Sequence, residues 1–252
     1  MIGFIISTIK IIFLLGFLIL IHESGHFLVA KLCKVKVNEF AIGFGPTIWS
    51  KQGRETKYAL RLVPLGGFVS MEGEEEASDA EGSFSKASIP KRMLIVIAGA
   101  TVNIIFGLIV YFILMTAIAK PVENTISNHI YYGLTQTAEF CVATLDGIKS
   151  LIINGLDVNQ MMGIVGISDV VVSTNGFKEF IYILSIVSVS LGVTNLLPIP
   201  ALDGGKLVVL IIEAIRKKPL KQETEASINL LGFSILIALS IYVTYNDILR
   251  IF

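Results

Sequence analysis

Charge is what this sequence has least of. Only 16% of its 252 residues are Asp, Glu, Lys or Arg, where a soluble domain carries about 25%, so a soluble globule is excluded. The 20 basic and 20 acidic side chains cancel to a formal net charge of zero. No global field is left to attract nucleic acid, and no basic tail supplies a local one. Cysteine is almost missing: Cys33 and Cys141 stand far apart without a C-x-x-C pair. That excludes a disulfide framework and a cysteine zinc site, and leaves both thiols as packing residues. Internal repeats are absent. What is abundant is apolar, with 54% hydrophobic residues and a mean hydropathy of +0.77.

A bilayer core about 30 Å thick takes roughly 20 apolar helical residues, because backbone amides in lipid must bond within their own segment. Four stretches predict such helices: residues 2–21, charged only at Lys10, and the uncharged 93–119, 180–197 and 226–246. The third stops at Pro198 and Pro200, and the apolar piece Leu207 to Ile212 is too short to span. The first stretch is read as a span rather than a cleavable signal, because its polar end carries His22, Glu23 and His26 in place of a small-residue cleavage site. Ten Lys and Arg fall between Lys31 and Arg92, four between Arg216 and Lys221, and three between Lys120 and Lys178. The positive-inside rule then puts the first and third connections in the cytoplasm, both termini outside, and the histidine end of the first span facing the cytoplasm. Lys10 is expected to snorkel toward the outer interface.

Between the spans, residues 34–70 hold β-like runs, Val35 to Phe40 and Tyr58 to Val63, punctuated by glycine and proline, and predict a hairpin region on the cytoplasmic side. Residues 72–81 form an acidic, solvated loop. Residues 131–155 are amphipathic and suit a helix on the outer membrane surface. The expected fold is therefore mainly α: a polytopic membrane protein of four transmembrane helices with a membrane-associated β-hairpin region, all in one membrane-embedded core spanning 1–252.

His22-Glu23-Ser24-Gly25-His26 is an H-E-x-x-H match. Positions i and i+4 are neighbours on one helix face, so His22 and His26 can offer imidazole nitrogens to one Zn²⁺, with Glu23 placed as general base. Three histidines and 14 glutamates in 252 residues would give this pattern by chance only about 0.002 times, which sets aside a random match. The plain structural alternative is a pair of histidines capping the span at the headgroups; ionisable residues at membrane depth are costly and mostly functional. A catalytic zinc wants a third protein ligand. His129, the remaining histidine, falls in the outward segment, so a carboxylate is required. Asp203 is the candidate: it follows a charge-free span, Pro198 and Pro200 break the helix before it, and Gly204 and Gly205 permit close backbone approach. Without the histidine pair, Asp203 would read as a solvated turn residue.

The chain resembles the site-2 protease family of intramembrane zinc metalloproteases, in particular the bacterial branch that cleaves membrane-anchored anti-sigma factors and signal-peptide remnants. The resemblance covers most of the chain: HESGH at 22–26, NEFAIGFGP at 38–46, LVPLGGFV at 62–69, GATVN at 99–103, GIVGI at 163–167, NLLPIPALDGG at 195–205 and YNDILRI at 245–251. It implies one zinc ion held by His22, His26 and Asp203, a catalytic Glu23, and support of substrate or active-site water by Asn103 and Asn195. It also implies single-span membrane proteins as substrates, and residence in the bacterial inner membrane. Ala100 and Ile164 stand where the family usually has proline, and the PDZ domain usual between the second and third spans is missing.

A helical substrate hides its peptide bonds and must unwind to be cut. The stretch Leu65, Gly66, Gly67 and Phe68 is a candidate edge strand for pairing with the extended substrate; an ordinary packed hairpin is the equal alternative. A non-catalytic scaffold of the same fold would need neither Glu23 nor Asp203. A metal transporter would spread ionisable groups through several spans, and these spans are nearly charge-free.

Overall fold

The computed structural model describes residues 2–74, 76, 78–121, 123–155, 161–174 and 176–251. In chain order they form α1 (Ile2–Leu32), β1 (Val37–Gln52), β2 (Lys57–Met71), α2 (Ile89–Ile118), α3 (Ile126–Asn154), α4 (Ile164–Ser173), α5 (Phe177–Asn195), α6 (Asp203–Arg216) and α7 (Gln222–Ile251). The protein is mainly helical, and among the described residues α1, α2, α5 and α7 are long and apolar enough to cross a membrane.

Helix α1 differs from the sequence expectation in where it stops. It runs on past residue 21, through the histidine motif, to Leu32, so the motif lies inside the helix. The reason is apolar packing beyond the motif: Ala30 is fully buried in a cluster with Val35, Val37, Val69, Met71, Phe84, Ile95, Val96 and Leu210. The helix then ends in a Schellman arrangement. Lys34 takes a left-handed φ of 62°, its N–H bonds Lys31 O, and the N–H of Val35 bonds Ala30 O, which satisfies two terminal carbonyls. Helix α2 likewise begins before residue 93, at Ile89, with Pro90 in the first turn where its missing N–H costs no bond. Helix α7 begins at Gln222, and Glu223 and Glu225 complement its positive end.

Strands β1 and β2 are antiparallel, with Val37 opposite Met71, Phe40 opposite Val69 and Ile42 opposite Gly67. Farther out, Trp49 meets Leu60 and Gln52 meets Lys57. Both strands exceed the short runs expected at 35–40 and 58–63. Gly43 and Gly45, at φ 88° and 83°, bend β1 in mid-course in a region that side chains avoid. Each half of β1 therefore finds its own partner. Residues 39–42 have a second set of neighbours, Phe40 with Tyr58 and Ile42 with Leu60. Segment 39–42 is thus flanked on both sides, whereas 67–70 pairs with strand residues on one side only. Glu39 accepts hydrogen bonds from Arg61 at 2.7 Å and Lys57 at 3.4 Å. Partial burial would raise its pKa, but these two cations hold it below the usual carboxylate value.

The chain divides into two compact units, one of Met1–Ile104 with Ser190–Ile235 and the other of Ile105–Val189 with Leu236–Phe252. The first contains the sheet and the cluster around Ala30. In the second, Tyr111 stacks on Phe140 at 4.7 Å, and Asp247 accepts the N–H groups of Gly163 and Gly166 at 2.9 Å. Those N–H groups are orphans of the first turn of α4, a helix that the apolar periodicity did not single out. Between α2 and α5 the described residues form two helices and no strand.

Candidate metal centre

His22 and His26 sit four residues apart on the inner face of α1, with side chains 11% and 12% exposed. Asp203 reaches them from the first turn of α6. Its approach depends on the loop before it. Pro198 and Pro200 end α5, and Gly204 and Gly205 pack so closely on the backbone of Leu196, Leu197 and Ile199 that any side chain there would clash. The first turn of α6 is thereby pressed against that loop.

Three ligand-type atoms converge. His22 Nε2 lies 3.1 Å from His26 Nε2 and 3.1 Å from Asp203 Oδ2, which is 3.4 Å from His26 Nε2. Zinc bonded at about 2.0–2.1 Å in tetrahedral geometry separates its ligands by about 3.3–3.4 Å, close to this triangle. Asp203 Oδ2 is buried and has no hydrogen-bond donor. The Nδ1–H of His26 donates to Ile95 O at 2.8 Å. A carbonyl can only accept, so Nδ1 carries a proton, and in the neutral ring this leaves the lone pair on Nε2, the atom that faces the other two ligand-type atoms. The residues fit zinc.

Helix α2 closes the other side. A methyl group at Gly99 would fall 2.8 Å from His22 Nε2 and closer still to His26 Nε2. Only glycine leaves the coordinating space open. Gly99→Ala is expected to weaken zinc binding at least tenfold, about 1.4 kcal/mol, measured as zinc retained after dialysis against graded chelator; unchanged retention would contradict this crowding.

Glu23 is half-buried, and its Cγ lies 3.2 Å from where a Cβ of Gly67 would stand. The candidate edge strand therefore passes beside the candidate base. Phe68 continues that strand under the guanidinium of Arg61, 4.9 Å from its ring, and Gly66 packs against the Phe44 ring. The side chain of Leu65 lies outside the described residues. Asn103 is fully buried, with its amide 3.5 Å from His22 Nδ1. Asn195 donates to Leu191 O of its own helix at 3.0 Å, and so turns one end of its amide back on α5. Two contributors escape sequence reading: the Ile95 carbonyl, which no side-chain pattern signals, and Gly99, which GATVN contains without showing what it faces.

Apolar spanning helices around this donor set define a class, the membrane-embedded zinc metalloproteases. Residues 10–239 match the profile of Peptidase family M50, and the chain belongs to that family, the site-2 proteases, which are zinc-dependent. It is similar to provisionally named zinc metalloproteases of three bacteria. The Clostridium acetobutylicum protein is 28% identical over 92% of this chain and 94% of its own length. That of Clostridium perfringens is 30% identical over 92% and 95%, and that of Streptococcus pyogenes serotype M6 is 25% identical over 98% and 100%. These alignments run over 320, 321 and 419 positions, so the relatives carry segments that this shorter chain does not, in keeping with a missing PDZ domain.

Proposed function

We propose that this metalloprotease hydrolyses peptide bonds within or near the transmembrane segment of single-span membrane proteins. By resemblance these are anti-sigma factors or signal-peptide remnants. His22, His26 and Asp203 hold the zinc ion, and Glu23 is the general base. The observation that carries this reading is the convergence of three ligand atoms within 3.1–3.4 Å, beside a strand edge that an extended peptide can join.

When bound, zinc supplies Lewis acidity, polarising a carbonyl and lowering the pKa of water to about 7. Glu23 takes the proton of the attacking water and delivers it to the leaving amine. Burial of the site excludes bulk water, which strengthens each of these interactions. The substrate, unwound locally, adds to the edge at Gly66, Gly67 and Phe68, where main-chain hydrogen bonds hold its scissile bond extended. Near Val69 that edge adjoins a groove of about 410 Å³, lined also by Glu74, Lys206, Gln222 and Asn229, with room for the peptide to continue. Asn195 keeps an amide oxygen for substrate or water. The excess of Lys and Arg in the first and third connections supports an active site opening to the cytoplasm and termini outside.

The edge-strand role is tested by cross-linking. With Cys33 and Cys141 replaced by serine and Glu23→Gln used to trap substrate, Phe68→Cys is expected to form disulfides with cysteines at alternate positions of the substrate segment, the period of a strand. Equal yields at consecutive positions, or none at all, would remove the edge from the mechanism.

A further inference from the structure

The site described above leaves one buried contact unexplained. His22 and His26 are four residues apart on α1, and the groups that meet their far ring nitrogens lie on a single face of α2: Ile95 O at His26 Nδ1 and the Asn103 amide at His22 Nδ1. Gly99 stands midway between them, facing both Nε2 atoms. Residues 95, 99 and 103 follow the i, i+4, i+8 row, a rise of about 12 Å. The lower-numbered histidine meets the higher-numbered residue of α2, so the two helices run antiparallel here. This contact is close because Gly25 lies against the backbone of Ala98 and Gly99. One stripe of α2 therefore backs the whole histidine pair, with a carbonyl at one end, a gap in the middle and an amide at the other.

We infer that Asn103 is a positioning residue that holds His22 in its metal-binding tautomer, an inference that rests on His22 being a zinc ligand. If Nε2 is to bind metal, Nδ1 must carry the proton, and a buried N–H without an acceptor is costly. The Asn103 side chain is fully buried, and its amide nitrogen Nδ2 stands 3.5 Å from that ring nitrogen. Oxygen and nitrogen of an amide exchange places by a half-turn, and the hydrogen-bonding partner decides which faces inward. A protonated Nδ1 selects the oxygen. The reverse arrangement, amide N–H to a bare Nδ1, would put the proton on Nε2, in the space between His26 and Asp203 where a metal belongs. The same geometry argues against substrate contact: Asn103 meets the ring on the side opposite Nε2, and none of its surface is accessible. Asn103 thus does for His22 what the Ile95 carbonyl does for His26. The carbonyl comes from the backbone of α2 and is present whatever residue stands at 95. The acceptor at 103 has to be written into the sequence.

The test is zinc affinity, read by competition with a chelator of known strength on the purified full chain. Asn103→Leu, similar in size and without an acceptor, is expected to bind zinc about 10–100-fold more weakly, the usual cost of losing a partner behind a metal-bound imidazole. Asn103→Asp restores an acceptor and is expected to stay within about threefold of the parent chain, well inside the loss seen for leucine. A purely structural role would not separate the two in this order, and thermal unfolding of the zinc-free proteins checks that both are folded. Should the leucine variant fail to accumulate, Asn103→Ala is read in its place. Parent-like affinity in Asn103→Leu, or equal weakness in Asn103→Asp, would overturn the inference. His22→Ala separates the levels. If it too binds zinc as the parent does, the ligand assignment itself fails; if it loses zinc while Asn103→Leu does not, only the role of Asn103 fails.

Discussion

Glu23→Gln is expected to retain one zinc per chain while cleavage of a single-span substrate falls by about 10²–10⁴, the usual contribution of a positioned general base. Glutamine keeps the size and hydrogen-bonding reach of the glutamate but cannot take a proton from water. The three ligand-type atoms belong to other residues, and the side chain at 23 lies beside Gly67, so the proposed coordination is left alone. Two measurements are needed on the same preparation. Zinc content says whether the site is intact, and release of the tagged product says whether chemistry proceeds. Full activity with zinc bound would remove Glu23 from the proton path. Loss of zinc together with activity would show instead that the glutamate holds the site together.

Asp203→Ala carries the second large effect, this time on the metal. In the proposed donor set, removing the carboxylate takes away one of three protein ligands and the only anionic one, leaving two imidazoles in a buried pocket. Zinc content is expected to drop from one per chain to near zero after dialysis, and cleavage to vanish with it. Asp203→Asn should fall between, since an amide oxygen is a weaker ligand and brings no charge. The donor set carries part of this expectation and the local backbone carries the rest. Gly204 and Gly205 have no room for a Cβ, so a substitution at either should displace Asp203 and lower zinc content without touching a ligand. Unchanged zinc content in Asp203→Ala would take this residue out of the ligand set.

The sequence was most legible where chemistry and periodicity coincide. H-E-x-x-H at i and i+4 announces two imidazoles on one helix face whatever surrounds them. The need for a third ligand pointed to Asp203, although it stands 177 positions after His26, because the charge asymmetry of the loops put His129 on the outer side. The four spans were readable because lipid imposes a simple length and polarity rule. That rule also misplaced the end of α1: an apolar count stops at the first ionisable cluster, whereas a helix stops where packing and capping end it, here at Leu32 and Lys34. The double pairing of residues 39–42 could not be read, since a strand's neighbours depend on bends at Gly43 and Gly45 that alternation does not encode. The stripe of Ile95, Gly99 and Asn103 was invisible for a different reason. One member acts through a backbone carbonyl and another through the absence of a side chain, and neither leaves a compositional signal.

The chain reads as a zinc-dependent protease built on one pair of antiparallel helices and a short third one. In the proposed site, α1 supplies two ligands and the base, α2 backs the histidine rings, and α6 brings the carboxylate. The measurement that tests this most directly is cleavage of a tagged single-span substrate by the purified chain before chelation, after chelation, and after return of one equivalent of zinc. The account predicts cleavage, loss and recovery in the parent chain, with no recovery in Glu23→Gln. Cleavage that survives complete removal of zinc would contradict it.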